Sequence, residues 1–256
     1  MSAMSAADPA PRQPRLGDAF GSILARCWAA GAVPYSSVEV VERDDGLISA
    51  NDPARYFAAP EAWSDLERWA WEQATGRILD VGCGGGRHAA PWARKGLDVL
   101  GLDSSPGVVG IMRERGLAAQ LGSLPQLPDG LGTFETIALF GNNLGLLGGP
   151  DRAPAVLRAL AEVARPGTRI LGTAHDPSGG ESVSHHAAYF AWNRERGRSP
   201  GQLRIRVRDG VIATPWFDYW LAAPDELATA VADTPWTLET IERASAGSGL
   251  VVCLRR

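Results

Sequence analysis

The chain has 256 residues, a formal net charge of −4 at pH 7 and a pI near 5.6, so its overall charge does not attract it to DNA, RNA or an anionic membrane. Its length allows one large domain, or a core with a cap. No apolar run approaches the roughly 20 residues that a membrane helix needs. The three cysteines are far apart and form neither a metal-binding pattern nor a disulfide framework, which predicts a reducing, cytoplasmic setting.

The first 75 residues predict a disordered tail followed by a cap. Residues 1–15 are rich in Ala, Ser and Pro and lack the hydrophobic segment of a signal peptide. Leu16 to Ala30 has apolar residues four apart, which predicts an amphipathic helix, and Pro60 to Gln73 predicts another. We therefore expect a helical N-terminal cap over residues 16–75, ahead of the first strand of the main sheet.

A strand, a tight turn, a helix and a second strand follow in succession. Ile78–Val81 is a short apolar run that predicts a buried parallel strand. Arg87–Lys95 predicts a helix, and 98–102 predicts a second strand that ends on Asp103. The turn between the first strand and the helix contains Gly82, Gly84, Gly85 and Gly86. Because glycine alone permits so sharp a turn and so close an approach to a ligand, the stretch predicts half of a doubly wound nucleotide-binding sheet.

The spacing of the glycines indicates the ligand. A dinucleotide fingerprint, G-x-G-x-x-G, would place its third glycine at Arg87, so a nicotinamide oxidoreductase is disfavoured. The pattern Asp80-x-Gly82-x-Gly84-x-Gly86 instead resembles motif I of the class I S-adenosylmethionine (SAM)-dependent methyltransferases. That resemblance implies a Rossmann-like, mostly parallel seven-stranded sheet, SAM as cofactor and S-adenosylhomocysteine (SAH) as product. It also implies that the acid ending the second strand holds the ribose hydroxyls.

The same resemblance implies which residues surround the cofactor. The family often has an acid after the third strand to bond adenine, whereas this chain has Gly122-Ser123-Leu124 after a predicted strand at 117–121. A serine hydroxyl or a backbone amide can replace that contact. The implied cofactor-binding residues are Asp80, Gly82, Cys83, Gly84, Gly86, His88, Asp103, Ser104, Ser123, Leu124, Phe140 and Gly141.

The candidate catalytic residues follow the fourth and fifth predicted strands, 134–140 and 168–174. Asn142 and Asn143 come where the family borders the reactive methyl group, although the Asn/Asp-Pro-Pro-Tyr motif is lacking. They could orient the substrate or serve only as turn residues. His175 is the candidate general base, with a purely structural histidine as the alternative.

The later part of the chain predicts a substrate-side insertion around 178–221, after the fifth strand of a methyltransferase domain at 76–256. An aromatic helix begins near His185 and His186, and a hairpin pairs Leu203–Val207 with 211–221. The hairpin carries Arg204, Arg206 and Arg208 on one face, which either discourages edge pairing or binds an acidic substrate or RNA phosphate. An antiparallel pair, 236–243 and 249–254, closes the sheet. The candidate substrate-binding aromatics, which could equally be core, are Tyr35, Tyr56, Phe57, Tyr189 and Trp216.

These features predict SAM-dependent transfer of a methyl group to O, N or C of a small organic acceptor by in-line displacement, with a bacterial secondary metabolite as the favoured acceptor. One alternative is an RNA or protein methyltransferase that uses the Arg194–Arg208 basic cluster. Another is a non-catalytic SAM-fold binding protein. We expect a small-molecule partner, no DNA, no membrane and no metal, with RNA disfavoured, and a monomer or homodimer.

Overall fold

The computed structural model describes residues 13–177, 182–245 and 247–256. Over these ranges the strands are β1 (Arg15–Leu16), β2 (Glu39–Arg43), β3 (Ile48–Asn51), β4 (Ile78–Val81), β5 (Val99–Asp103), β6 (Ala119–Leu121), β7 (Phe134–Leu139), β8 (Ala164–His175), β9 (Gln202–Asp209), β10 (Ile212–Ala213), β11 (Phe217–Trp220), β12 (Thr237–Arg243) and β13 (Gly249–Arg255). The α-helices are α1 (Ala19–Ala29), α2 (Asp65–Glu72), α3 (Ala89–Arg94), α4 (Pro106–Glu114), α5 (Ala153–Glu162), α6 (Ser182–Glu195) and α7 (Pro224–Ala232).

Seven strands form the central sheet, in the order β12-β13-β8-β7-β4-β5-β6. The pairs among β8, β7, β4, β5 and β6 are parallel, and β13 runs antiparallel to β8 and β12. The predicted seven-stranded, mostly parallel, doubly wound sheet is therefore confirmed. The strand order reverses at β4, because β5 lies on one side of it and β7 on the other; ligands bind at such a reversal in open α/β sheets.

Alternation along the central strands builds a buried layer on each face of this sheet. Leu79 and Ile137 pack in one hydrophobic cluster, whereas their neighbours Ile78 and Ala138 pack in another. Adjacent residues of a strand point to opposite faces, so an apolar run without polar breaks is what a strand covered on both sides requires.

A second sheet, here called the cap sheet, has the order β1-β10-β9-β2-β3, with β11 also paired to β9. Its strands come from both ends of the central fold: β2 runs antiparallel to β9, with Val41 opposite Val207, and β1 runs parallel to β10. The segment 16–75 contains α1 and α2 and also contributes strands to the cap sheet. Local periodicity could not show that this segment and the insertion share one sheet.

The predicted hairpin of the insertion is present, but its second strand is interrupted. Both β10 and β11 run antiparallel to β9. Between them, the Thr214 amide donates to the Val207 carbonyl and the Val207 amide donates to Thr214 Oγ1. Pro215 follows and has no amide hydrogen for the ladder, which explains the break.

The chain termini and helix ends refine the predicted boundaries. Residues 1–12 of the predicted disordered tail lie outside the described residues, whereas Arg15, at the end of that predicted segment, belongs to β1. Asp18 caps α1, and Ser64 caps α2 through the Glu67 amide. Within the described ranges, the helices are all too short or too polar to cross a bilayer.

Candidate active site

The glycine turn after β4 is held in backbone conformations that disfavour side chains. Gly82, Gly84 and Gly86 have φ values of +68°, +52° and +78°. A Cβ atom on Gly82 would lie 2.6 Å from Asn143 Nδ2, and one on Gly86 would lie 2.5 Å from Met112 Sδ. The turn therefore needs glycine both for its left-handed angles and for close packing.

Asp103 ends β5 and is tied to this turn. Its Oδ2 accepts a hydrogen bond from the Gly84 amide (3.1 Å), and its Oδ1 accepts one from the Ser105 amide (3.0 Å). Burial raises the pKa of Asp103 to about 6, although these amides oppose the shift. The carboxyl thus lies at the glycine turn, where the family resemblance implies the ribose.

Asp80, on β4, is more deeply buried and less well paired. Its side chain is 1% exposed, and Oδ2 has no hydrogen-bond partner among the described residues. Burial raises the pKa of Asp80 to about 7; the charge of Arg87 opposes this and that of Asp103 adds to it. An orphaned buried carboxyl, a second carboxyl and a side-chain-free turn suit a cationic, hydroxyl-bearing nucleoside, so these residues fit SAM.

Of the other implied cofactor contacts, His88 lies in an aromatic cluster. Its Nε2 is 2.9 Å from Glu67 Oε1, and its ring packs against Trp63 and Phe140. Burial lowers the pKa of His88 to about 4, so the neutral ring donates its Nε2–H to Glu67. Gly141 has φ +69° and faces the side chains of Arg87 and His88.

The remaining implied contacts divide by exposure. Ser104 and Ser123 are exposed, while Cys83 and Leu124 are buried. Burial raises the pKa of the Cys83 thiol well above its usual range, so it lines the turn as an apolar group. Ser105, the residue after Ser104, caps α4 and bonds Asp18 at 2.7 Å.

Tyr56 and Phe57, predicted as substrate aromatics, lie on the glycine turn. A Cβ on Gly84 would be 3.4 Å from the Tyr56 ring, and one on Gly85 would be 2.6 Å from the Phe57 ring. The Tyr56 hydroxyl donates to Glu39 Oε1 (2.8 Å). These two side chains therefore belong to the cover over the cofactor turn.

A cavity of about 300 Å³ lies between the cap sheet and the carboxyl ends of β7 and β8. Asn142 and His175 line it on the side of the central sheet. On the side of the cap sheet its lining includes Val41, Leu203 and Ile205. Two of the three predicted catalytic residues thus meet at one cavity.

The two adjacent asparagines have different surroundings. Asn142 has φ +71°, its carbonyl accepts from the Tyr219 hydroxyl (2.5 Å), and its buried Oδ1 has no partner in the described part of the chain. Asn143 Nδ2 instead donates to the carbonyls of Val81 (3.1 Å) and Gly82 (2.8 Å). Asn143 therefore positions the glycine turn, and Asn142 borders the cavity.

His175 is solvent-exposed at the cavity rim. Its Nδ1 is 3.0 Å from Ser248 Oγ, and partial burial lowers its pKa, which favours a neutral ring at pH 7. Asp176, the next residue along the chain, forms an ion pair with Arg243.

The other three predicted substrate aromatics are absent from the described cavity lining. Tyr35 is 75% exposed, Tyr189 is buried with its hydroxyl on Asp44 (2.5 Å), and Trp216 lies under the Arg206 guanidinium. Sequence reasoning missed Tyr219, which does line the cavity. Tyr219 on β11 lies opposite Leu203 on β9, which also lines the cavity. That pairing was not predicted residue by residue from the sequence.

The predicted arginine face lies on the other side of the cap sheet. Arg206 pairs with Glu42 at 2.8 Å, and Arg208 lies 3.5 Å from the same carboxylate. Glu42 follows Val41 along β2, so the two side chains point to opposite faces. Within the described residues, no group of three acidic, histidine or cysteine side chains could hold a metal ion.

The strand order of the central sheet is that of the class I SAM-dependent methyltransferase fold, and the glycine turn and the acid ending the next strand lie where the family resemblance implies them. In agreement, residues 78–167 match a family model described as a methyltransferase domain. Residues 78–167 thus contain a methyltransferase domain, a kind of domain whose cofactor is SAM, and the described residues have the fold of the class I SAM-dependent methyltransferases.

Known proteins resemble different shares of the chain. An Aeromonas salmonicida ubiquinone biosynthesis O-methyltransferase is 28% identical over 50% of this chain and 62% of its own length. An uncharacterized methyltransferase of Mycobacterium bovis is 30% identical over 64% and 61%. The chain thus spans about three fifths of the length of these two curated relatives.

Solved structures extend the similarity of fold over most of the chain. A SAM-dependent methyltransferase from Bacteroides fragilis, crystallised with SAH, has a TM-score of 0.75 and 24% identity, covering 93% of this chain and 94% of its own. The CcbJ methyltransferase from Streptomyces caelestis has a TM-score of 0.56 and 17% identity, covering 77% and 97%.

Proposed function

We propose that the protein transfers the methyl group of SAM to an oxygen, nitrogen or carbon atom of a small organic acceptor, by in-line displacement. The cavity beside Asn142 and His175 is the observation that carries this proposal. Its volume of about 300 Å³ lies at the lower end of the range for small-molecule sites. A bacterial secondary metabolite is the acceptor class that we favour, by analogy.

The chain's own residues would bind and align the reactants. Asp103 would hold the ribose hydroxyls, the glycine turn would let the backbone approach the nucleoside, and Asp80 would face its positive charge. When bound, SAM supplies a methyl group that is activated by the positive charge on sulfur. Alignment of two reactants can lower a barrier by about 7–11 kcal/mol in favourable cases, so positioning carries much of the catalysis.

A hydroxyl or amine acceptor also has a proton to lose, and we assign its removal to His175. If Nδ1–H donates to Ser248, Nε2 is left unprotonated and can accept that proton. The orphaned Oδ1 of Asn142 would accept a hydrogen bond from the same N–H or O–H group and so orient it.

Calorimetry with SAM and SAH tests the cofactor site. We expect Asp103→Ala to weaken binding at least about tenfold, because a buried hydrogen-bonding carboxylate is lost. Asp233→Ala is the matched control, since Asp233 is an exposed aspartate at the end of α7 and is not among the implied cofactor contacts. Equal affinities for the two variants would contradict the proposed role of Asp103.

Transfer of labelled methyl to a small-molecule extract, compared with transfer to RNA and protein fractions, tests the acceptor class. We expect label in the small-molecule fraction, because the Arg206 and Arg208 side chains are paired with Glu42 on the face away from the cavity. Label in RNA or protein would favour the macromolecular alternative. SAM binding without transfer to any fraction would favour a non-catalytic binding protein.

We predict that His175→Gln lowers kcat with an O–H acceptor by about 10²–10⁴-fold and leaves SAM affinity unchanged, because a general base contributes that much. In the wild type, kcat should rise with pH and level off below the usual histidine range, since partial burial lowers the pKa of His175. Single-turnover rates from pH 5 to 8 measure both effects. If His175→Gln retains the wild-type kcat, His175 is not the general base and has a structural role.

A further inference from the structure

The backbone of Asn142 is held in a left-handed conformation from both sheets. Its φ is +71°, a region that asparagine tolerates better than most residues with a side chain. Its amide donates to Thr173 Oγ1 (2.9 Å), and its carbonyl accepts from the Tyr219 hydroxyl (2.5 Å) and the Gly145 amide (3.0 Å). Thr173 belongs to β8 of the central sheet and Tyr219 to β11 of the cap sheet. Both sheets therefore fix this one residue.

Gly145 leaves room for the Tyr219 ring beside Asn142. A Cβ atom on Gly145 would lie 2.5 Å from Tyr219 Cε1 and 2.6 Å from its Cζ. Gly145 has no positive φ, so the close approach of the ring, and not a backbone angle, accounts for glycine at this position. The packing of the turn thus provides a second, independent observation of the contact between Tyr219 and Asn142.

The Tyr219 hydroxyl is a constant donor in a fixed place. Burial raises the pKa of the phenol above its usual range, so the hydroxyl keeps its proton through the neutral pH range. Tyr219 pairs with Leu203 of β9, which fixes the backbone from which the ring extends. The hydrogen bond to the Asn142 carbonyl therefore does not depend on a mobile or titrating group.

A fixed backbone at Asn142 also fixes the direction in which its side chain leaves the chain. Asn142 and Tyr219 both line the cavity, and the buried Oδ1 of Asn142 has no hydrogen-bond partner among the described residues. A side chain that orients a reacting group acts through its exact position, which depends on the groups that support it. Tyr219 is such a supporting group, contributed by the insertion after β8.

We propose that Tyr219 is a positioning residue: by binding the Asn142 carbonyl, it holds Asn142 Oδ1 where it can accept a hydrogen bond from the N–H or O–H group of the acceptor. This inference rests on the proposed function and adds a residue to it. Tyr219 itself need not touch the reacting atoms, and its effect on methyl transfer passes through Asn142.

A double-mutant cycle of Tyr219→Phe and Asn142→Gly tests the proposal, with rates of labelled methyl transfer from SAM to the small-molecule extract. Glycine adopts a positive φ readily, so Asn142→Gly removes Oδ1 and keeps the turn. We expect Tyr219→Phe to lower the rate at saturating extract by roughly 10- to 100-fold, as misplacement of a reacting group does, with calorimetric SAH affinity unchanged. In the Asn142→Gly background, Tyr219→Phe should cost less than about twofold, because its effect passes through the missing side chain.

Gly145→Ala provides a second variant that leaves the phenol intact. Its Cβ would displace the Tyr219 ring, so it should lower the rate in wild type and add little in the Asn142→Gly background. A folded Tyr219→Phe or Asn142→Gly variant with the wild-type rate would overturn the inference, as would losses that multiply in the double variant. Wild-type protein that binds SAH but labels no fraction would instead overturn the proposed function.

Discussion

At the residue scale, the cofactor end of the site contains two buried carboxyls with different partners. Asp103 accepts hydrogen bonds from two backbone amides, whereas Asp80 Oδ2 has no partner in the described ranges. Burial raises the pKa of both, to about 6 and about 7. The negative charge that suits a cationic cofactor is therefore costly before the cofactor binds.

We predict that Asp80→Asn makes the stability of the cofactor-free protein less dependent on pH. A carboxyl whose folded pKa is raised to about 7 is favourable at low pH, and this contribution is lost as pH rises from about 4 to about 7. Urea unfolding at pH 5 and pH 8 should show the variant gaining on the order of 3 kcal/mol over wild type between these values.

The comparison with wild type removes the opposing effect of His88. Its pKa is lowered to about 4, so it contributes stability that increases as pH rises from about 4 to 6.5 in both proteins. Parallel pH profiles for Asp80→Asn and wild type would show that Asp80 does not titrate as its burial implies.

At the element scale, the glycine turn is shaped as much by the cap as by the ligand. The 3-10 helix Pro53–Phe57 packs on it, and the Tyr56 carbonyl oxygen lies 2.5 Å from where a Cβ on Gly85 would be. Gly85 has no positive φ to explain its identity. Close approach of the cap, which could not be predicted from the sequence, requires glycine here.

Gly85→Ala and Gly110→Ala form a matched pair that tests this contact. An alanine at 85 meets backbone and the Phe57 ring, so we expect it to destabilise the fold by about 1–3 kcal/mol and to weaken SAM binding. Gly110, inside α4, has nothing within 4 Å of a Cβ, so alanine there should add up to about 1 kcal/mol of stability. Equal unfolding midpoints for the two variants would refute the packing argument.

At the scale of the whole molecule, the cap sheet joins the first and last thirds of the fold. The insertion strand β9 pairs with β2, and Asp18 before α1 bonds Ser105 and the Gly107 amide at the start of α4. The cavity lies between this sheet and the central one, so the acceptor site depends on segments from both.

We predict that a fragment of residues 76–256, the methyltransferase domain as its sequence delimits it, will not fold into a soluble SAM-binding protein. Without β2 and β3, β9 would present an unpaired edge and an exposed apolar face. Co-expression with residues 1–75 should restore both solubility and SAM affinity. A fragment that unfolds cooperatively and binds SAM like the full chain would show that the cap sheet is dispensable.

The cofactor half of the site could be predicted from local sequence. The apolar run at 78–81, the glycines and Asp103 lie within one strand-turn-helix-strand unit, whose geometry is fixed by neighbours along the chain. The central sheet followed from the same periodicities. Asp80 was identified by its place in the pattern that resembles motif I, and Asp103 as the acid that ends the next predicted strand, where the same resemblance implies a ribose contact.

The acceptor half was decided by tertiary structure. Arg43, Tyr219 and His186 meet at the cavity from β2, β11 and α6, and their sequence neighbours carry no sign of that meeting. Tyr189 on α6 and Trp216 just before β11, equally aromatic in sequence, pack elsewhere, Tyr189 with its hydroxyl on Asp44 and Trp216 under the Arg206 guanidinium. Sequence alone thus determined the fold and the cofactor turn through short-range periodicity, whereas long-range strand pairing determined which side chains surround the acceptor.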